Sequence, residues 1–171
     1  LYDGIGSCNM AISLANKAPF KTEAEKNAKV AEARFLRAIY YFNAVEQFGG
    51  VTMITEPASS MNFAPTRTEP LTIYKDIIIP DLEFAVEWLD KGNDATTTQP
   101  TKKAALGMLA KVCLQTKEYA TDEYIHEALD AAKKLITDCE SGGSTYGAYM
   151  YPTYEEVFAE KNNKENKEAL W

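Results

Sequence analysis

The stretch from Thr22 to Phe48 constrains the fold more than any other part of the chain. Apolar residues fall at Ala24, Ala28, Ala31, Phe35, Ala38, Phe42 and Val45, in steps of three and four, the spacing of one face of an α-helix. Ala, Glu and Lys fill much of its first half, so intrinsic propensity agrees with the periodicity. Thr22 followed by Glu25 reads as a capping box, and Gly49-Gly50 ends the run. At 1.5 Å per residue this helix is about 40 Å long, well beyond the usual three turns. Its second half adds Leu36, Ile39, Tyr40 and Tyr41 and becomes apolar nearly all round. Such a rod must be covered on more than one side.

The remaining pattern supplies the cover. Residues 2–17 place Ile5, Cys8, Ile12 and Ala15 at helical spacing, with Pro19 as the stop. A short apolar run at 51–54 reads as extended, and 55–71, with Pro57, Pro65 and Pro70, has loop composition. A third helix is predicted over 72–89, with Ile73, Ile77, Leu82, Ala85 and Leu89 on one side. Pro80 lies inside it, removes the bond to the Asp76 carbonyl and costs roughly 3 kcal/mol, so a kink or break is expected there. After a polar loop at 91–100, residues 101–116 form a helix dense in Ala104, Ala105, Gly107 and Ala110, whose small side chains let helix axes approach closely. A fifth helix over 122–139 is expected to turn Ile125, Ala128, Leu129, Ala132, Leu135 and Ile136 inward. The short connection between the last two makes them an antiparallel hairpin. Beyond Gly142-Gly143 comes a Tyr-rich stretch, a helical turn at 154–158, and a polar, flexible segment at 162–166. The expected fold is mostly α: antiparallel helix pairs stacked as in tetratricopeptide (TPR) arrays, with loops and little strand, because no hairpin can bury its apolar face alone.

Composition narrows the function classes. With 25 acidic against 18 basic residues and a formal charge of −7, the chain repels phosphate backbones and anionic lipid surfaces, which disfavours nucleic acid as a partner. Cys8, Cys113 and Cys139 form no C-x-x-C and read as small buried hydrophobes. The apolar runs fall short of the ~20 residues a membrane-spanning helix requires. His126 is the only histidine, which leaves no Ser-His-Asp or Cys-His set and no second Glu-x-x-His to partner Glu123 and His126, so it reads as a surface residue. Residues 142–147 are glycine-rich but lack the Lys-Ser/Thr ending of a phosphate loop. Acidic pairs such as Asp122-Glu123 and Glu155-Glu156 stand at helix starts, where they complement the dipole. No catalytic residue, metal ligand or cofactor is assigned, and the chain is expected not to be an enzyme; an α-helical hydrolase would need groups that are not in this sequence.

The run Ala31-Glu32-Ala33-Arg34-Phe35-Leu36-Arg37-Ala38, then Tyr41-Phe42 and Phe48-Gly49-Gly50-Val51, resembles the signature of the SusD/RagB family, with Thr52 where that family has proline. Upstream, Leu1-Tyr2-Asp3-Gly4-Ile5 with Asn9 is similar to its L-Y-x-G-I-x-x-x-N helix. Downstream, Arg67, Ile73-Tyr74, Ile77, Asp81-Leu82 and Ala85 follow its next block, and Thr101-Lys102-Lys103-Ala104-Ala105 follows the one after, with Gln99-Pro100 replacing Gly-Arg. Tyr154, Phe158 and Glu168-Ala169-Leu170-Trp171 look like the entry into the family's more variable half.

The resemblance implies a helical TPR-like scaffold and a non-catalytic outer-membrane lipoprotein that captures oligosaccharide or polysaccharide for a partner SusC-like TonB-dependent transporter. Its lipid-bearing cysteine would lie upstream of Leu1. Residues 1–171 are accordingly expected to be a single helical domain and, since both ends read as cuts, a fragment of a longer chain. Arg34 and Arg37, three apart on one face, could clamp an anion, but the resemblance makes them scaffold positions paired with carboxylates. Of the tyrosines, Tyr146 and Tyr154 match family core positions. Tyr149 and Tyr151 are left as ligand-binding candidates, because a phenol ring can stack on a pyranose face and hydrogen-bond as well. The alternative reading is an intracellular TPR-like adaptor with a peptide or protein partner.

Overall fold

A computed structural model describes residues 1–57, 64–91, 99–120, 122–159 and 167–168; the polar stretch 162–166 lies outside them. The helices are α1 (Tyr2–Ala15), α2 (Glu23–Phe48), α3 (Pro70–Ile73), a π-turn (Tyr74–Ile78), α4 (Ile79–Trp88), α5 (Lys102–Gln115), α6 (Ile125–Glu140) and the single turn α7 (Tyr154–Val157). Short 3₁₀ turns, Thr116–Glu118 and Asp122–Tyr124, join α5 to α6. The β pairing described is one antiparallel bridge between Val51 and Thr68. Among the described residues the fold is helices and loops with no strand, the mostly α architecture expected from the periodicity.

Helices pack in a row, α1 on α2, α2 on α4, α4 on α5 and α5 on α6. The long helix is therefore covered from two sides, which its all-round apolar half demands. Its first turn is capped as expected: Thr22 Oγ1 accepts from the Glu25 amide at 3.1 Å, although the return bond from Glu25 goes to the Lys21 amide instead of to Thr22. Phe35, Tyr41, Ile73, Tyr74, Ile77, Ile78, Leu82 and Leu106 are fully buried where these helices meet, each contributing about 1.5–3 kcal/mol. The tight crossing of α1 on α2 depends on Gly4, where a Cβ would stand 2.5 Å from the Tyr40 ring.

Two expectations need correction. Of the kink or break expected at Pro80, there is no break: residues 70–88 are helical throughout. The winding widens one turn earlier, where the Ile79 amide donates to the Tyr74 carbonyl. The wider turn takes up the residue that cannot donate, so Pro80 falls in the first turn of α4, where its missing N–H is tolerated. The second correction concerns α6. Ala128 and Ala131 are buried, but Leu129 and Ile136 are 47% and 58% exposed. Its chief neighbour, α5, meets the side that carries Ala128, Ala131 and Asp138. That side is rotated from the centre of the apolar stripe, so one edge of the stripe stays uncovered.

Candidate functional site

The two arginines of α2 do not form an anion clamp. Arg37 is buried, and its Nε and Nη2 donate to Asp81 Oδ2 and Oδ1 at 2.7 and 2.9 Å. Its Nη1 donates to Asn9 Oδ1 at 2.9 Å. Arg34 Nε stands 3.7 Å from Asp81 Oδ1, and its guanidinium lies 4.3 Å over the Phe84 ring. Burial lifts the Asp81 carboxyl from its ordinary value while Arg37, then Arg34, pull it back. The pairing with a carboxylate is the one expected from the resemblance. The role of Asn9 was missed; its only sequence signal was its place in the L-Y-x-G-I-x-x-x-N motif.

These groups also hold the backbone that follows the Val51 bridge. Asn9 Nδ2 donates to the Ile54 carbonyl at 2.9 Å. The Tyr41 hydroxyl donates to the same carbonyl at 2.8 Å and accepts from the Ile54 amide at 2.7 Å. Tyr2 Oη donates to the Thr52 carbonyl. Side chains of α1 and α2 thus take the place of a neighbouring strand for this extended segment.

The tyrosine stretch lies at the other end of the row. The α6 C-terminus closes through Gly142, Gly143 and Gly147, all with φ near +75°, the left-handed region that glycine enters without strain. A Cβ on Gly143 would come 2.7 Å from the Ala148 carbonyl, so the two ends of this loop touch. The loop does cradle an anion, and it is the chain's own. Asp138, in the last turn of α6 and 3% exposed, accepts from the amides of Thr145, Tyr146 and Ala148 at 2.7, 3.0 and 2.9 Å. Burial alone would raise its carboxyl, but the loop amides outweigh that and hold it below the ordinary value.

Tyr149 and Tyr151 follow at once. Their rings meet edge to face with centroids 5.0 Å apart and planes at 84°, and both residues are half-buried. The Tyr151 amide donates to Glu168 Oε2, and its hydroxyl accepts from the Lys167 amide. Tyr146 packs against the core, as expected. Tyr154 does not: with Phe158, 4.6 Å away, it is exposed, at 79% and 68% respectively. His126 is exposed on α6, and the charged pairs described are local ion pairs, the Asp81 network and an exposed bridge from Lys75 to Glu123 at 2.9 Å. Cys8 and Cys113 are buried and Cys139 is half-buried, all three free; burial pushes Cys113 up to about 12. No described helix is long and apolar enough to cross a membrane.

A row of stacked helices whose polar interior braces one loop while another presents paired tyrosines defines the class: a TPR-like helical scaffold. Residues 1–114 match the family model for SusD-like proteins, described as starch-binding and associating with the outer membrane, and the chain belongs to that family. A SusD-like protein of Bacteroides ovatus is 32% identical over 94% of this chain. A laminarin-binding SusD-like protein of known structure superposes on 94% of the chain with a TM-score of 0.73 and 28% identity. A crystal structure with a xylogluco-oligosaccharide covers 99% with a TM-score of 0.71 and 29% identity. The chain spans about a third of the length of these relatives, 30% of the first and 33% of each of the other two.

Proposed function

We propose that this chain is the scaffold-rich part of a longer glycan-capture protein that binds oligosaccharides without cleaving them and delivers them to a SusC-like TonB-dependent transporter. In this reading the whole protein sits at the outer-membrane surface on a lipid anchor that lies outside residues 1–171. The observation that carries it is family membership over residues 1–114, joined to relatives of the same fold that bind laminarin or hold a xylogluco-oligosaccharide. The chemistry of the chain agrees. Arg37 and Asp81 in the interior are tied up in bracing the helices, and the α6 end of the row carries half-buried aromatic rings suited to sugar faces. Tyr149 and Tyr151 are the proposed ligand contacts, their edge-to-face pairing offering one flat face and one hydroxyl-bearing edge.

Calorimetric titration of the intact protein with laminarin, xyloglucan and starch oligosaccharides tests this reading. Saturable heat with at least one of them is expected, with no new reducing ends after prolonged incubation. Silence against the whole panel, or steady release of products, would overturn it. Replacing both Tyr149 and Tyr151 by alanine is expected to weaken binding about tenfold or more, since each stacked ring contributes on the order of 1 kcal/mol.

A further inference from the structure

Asp138 is in an electrostatically unfavourable place. A carboxylate in the last turn of a helix faces the negative end of the dipole, and this one is also buried. The Asp138 backbone carbonyl accepts from the Gly143 amide at 2.7 Å and from Ser141 Oγ, so those two donors do not serve the carboxylate. Three amides of the next loop supply what the helix cannot. They belong to Thr145, Tyr146 and Ala148, and Ala148 is both buried and directly bonded to Tyr149. The loop closes on itself through Gly147 N–H to the Gly143 carbonyl, with the carboxylate inside the closure. Lys91 reaches the Ser144 carbonyl from the end of the α4 arm, so its ammonium is engaged with the loop backbone.

We infer that Asp138 is the positioning residue of the tyrosine pair: by binding three amides of the loop it fixes where Tyr149 leaves the scaffold, and with it the edge-to-face geometry of Tyr149 and Tyr151 toward a sugar ring. This rests on the reading of those tyrosines as glycan contacts. Asp138 touches no ligand itself. The loop amides could not be held by a shorter or neutral side chain in the same way. Serine does not reach, and asparagine presents one acceptor oxygen and one donor where two acceptors are required.

The test uses the intact protein and the laminarin or xyloglucan oligosaccharide it binds, with hydrogen exchange read residue by residue. Asp138→Ala is expected to raise exchange at the Thr145, Tyr146 and Ala148 amides by tenfold or more, on the order of a lost buried hydrogen bond, and to weaken glycan binding by a similar factor. Amides of α1 to α5 should be unchanged. Asp138→Asn should fall between wild type and alanine in both measurements, again with α1 to α5 unchanged, a locality that a merely destabilised scaffold would not give. Unchanged exchange at the three amides would overturn the positioning role, as would full glycan affinity in Asp138→Ala when the double tyrosine variant has lost it. If the double tyrosine variant binds like wild type, the tyrosines are not the contacts; that result sinks the glycan-contact half and leaves the loop-fixing half to stand or fall on exchange alone.

Discussion

Two segments without regular secondary structure are held by opposite means. Residues 52–55 are fastened from outside by side chains of two helices, Tyr2 and Asn9 of α1 with Arg37 and Tyr41 of α2. Residues 143–148 are fastened from inside by one carboxylate of the helix they leave. The first arrangement shares its anchors with the helix core, because Arg37 also grips Asp81 of α4. The second takes its anchoring carboxylate from α6 and touches the rest of the core through the Tyr146 ring and the bond from Lys91 to the Ser144 carbonyl. Perturbing the first should unsettle the whole row of helices, whereas perturbing the second should loosen only the loop and what it displays.

The largest effect should come from Arg37→Ala, which leaves the Asp81 carboxyl buried and without its main partner; about 3–5 kcal/mol of stability is expected to go, read by urea denaturation of the intact protein. If the loss were under 1 kcal/mol, the shared-anchor account would be wrong. Tyr41→Phe keeps the ring and strips both bonds to Ile54, so about 1–3 kcal/mol is expected to be lost, with faster amide exchange at Ile54 as the local signature. Gly143→Ala puts a side chain into the left-handed region and against the Ala148 carbonyl. It should cost about 1–2 kcal/mol, but locally, with tyrosine-loop exchange rising while the midpoint of global unfolding barely moves.

The smallest effect is a pH dependence. Asp138 is held below its ordinary value, so the stability it contributes is complete above the unfolded-state value of about 3.9. It is lost as pH falls through the lower folded value. Near-ultraviolet circular dichroism from the loop tyrosines should therefore be flat down to about pH 4 and fall below it. A loss of that signal between pH 5 and 7 would assign the loop's stability to some other group.

How legible the chain was follows the same division. The helices were legible because each buries a face whose period is local in sequence; Ile73, Ile77, Leu82, Ala85 and Leu89, expected on one side, are all buried. The pairing of the α2 arginines with a carboxylate was also expected, but not the identity of the partner, since Asp81 is 44 residues away and no local pattern encodes a contact at that distance. The facing of α6 was misjudged because a stripe states which residues are apolar, not how far round a neighbour reaches. In the site, Tyr149 and Tyr151 could be singled out only by residue type and loop context. Asp138 was overlooked although it left a trace: an acid in the last turn of a helix, against the dipole, just ahead of Gly142-Gly143.

The widened turn at Tyr74–Ile78 has a consequence for the length of the chain. The Ile79 amide bonds to the Tyr74 carbonyl five residues back, where ordinary winding calls for four. The helix thus carries one surplus residue, and Pro80 sits at the end of it. Excising Pro80 would remove the surplus and the missing donor together, letting uniform winding run from Pro70 to Trp88 with Leu82 and Ala85 still turned inward. Exchanging Pro80 for alanine would restore the donor but leave the extra residue in place. Here the protein should tolerate a shortening better than a substitution, the reverse of what holds in the middle of its other helices.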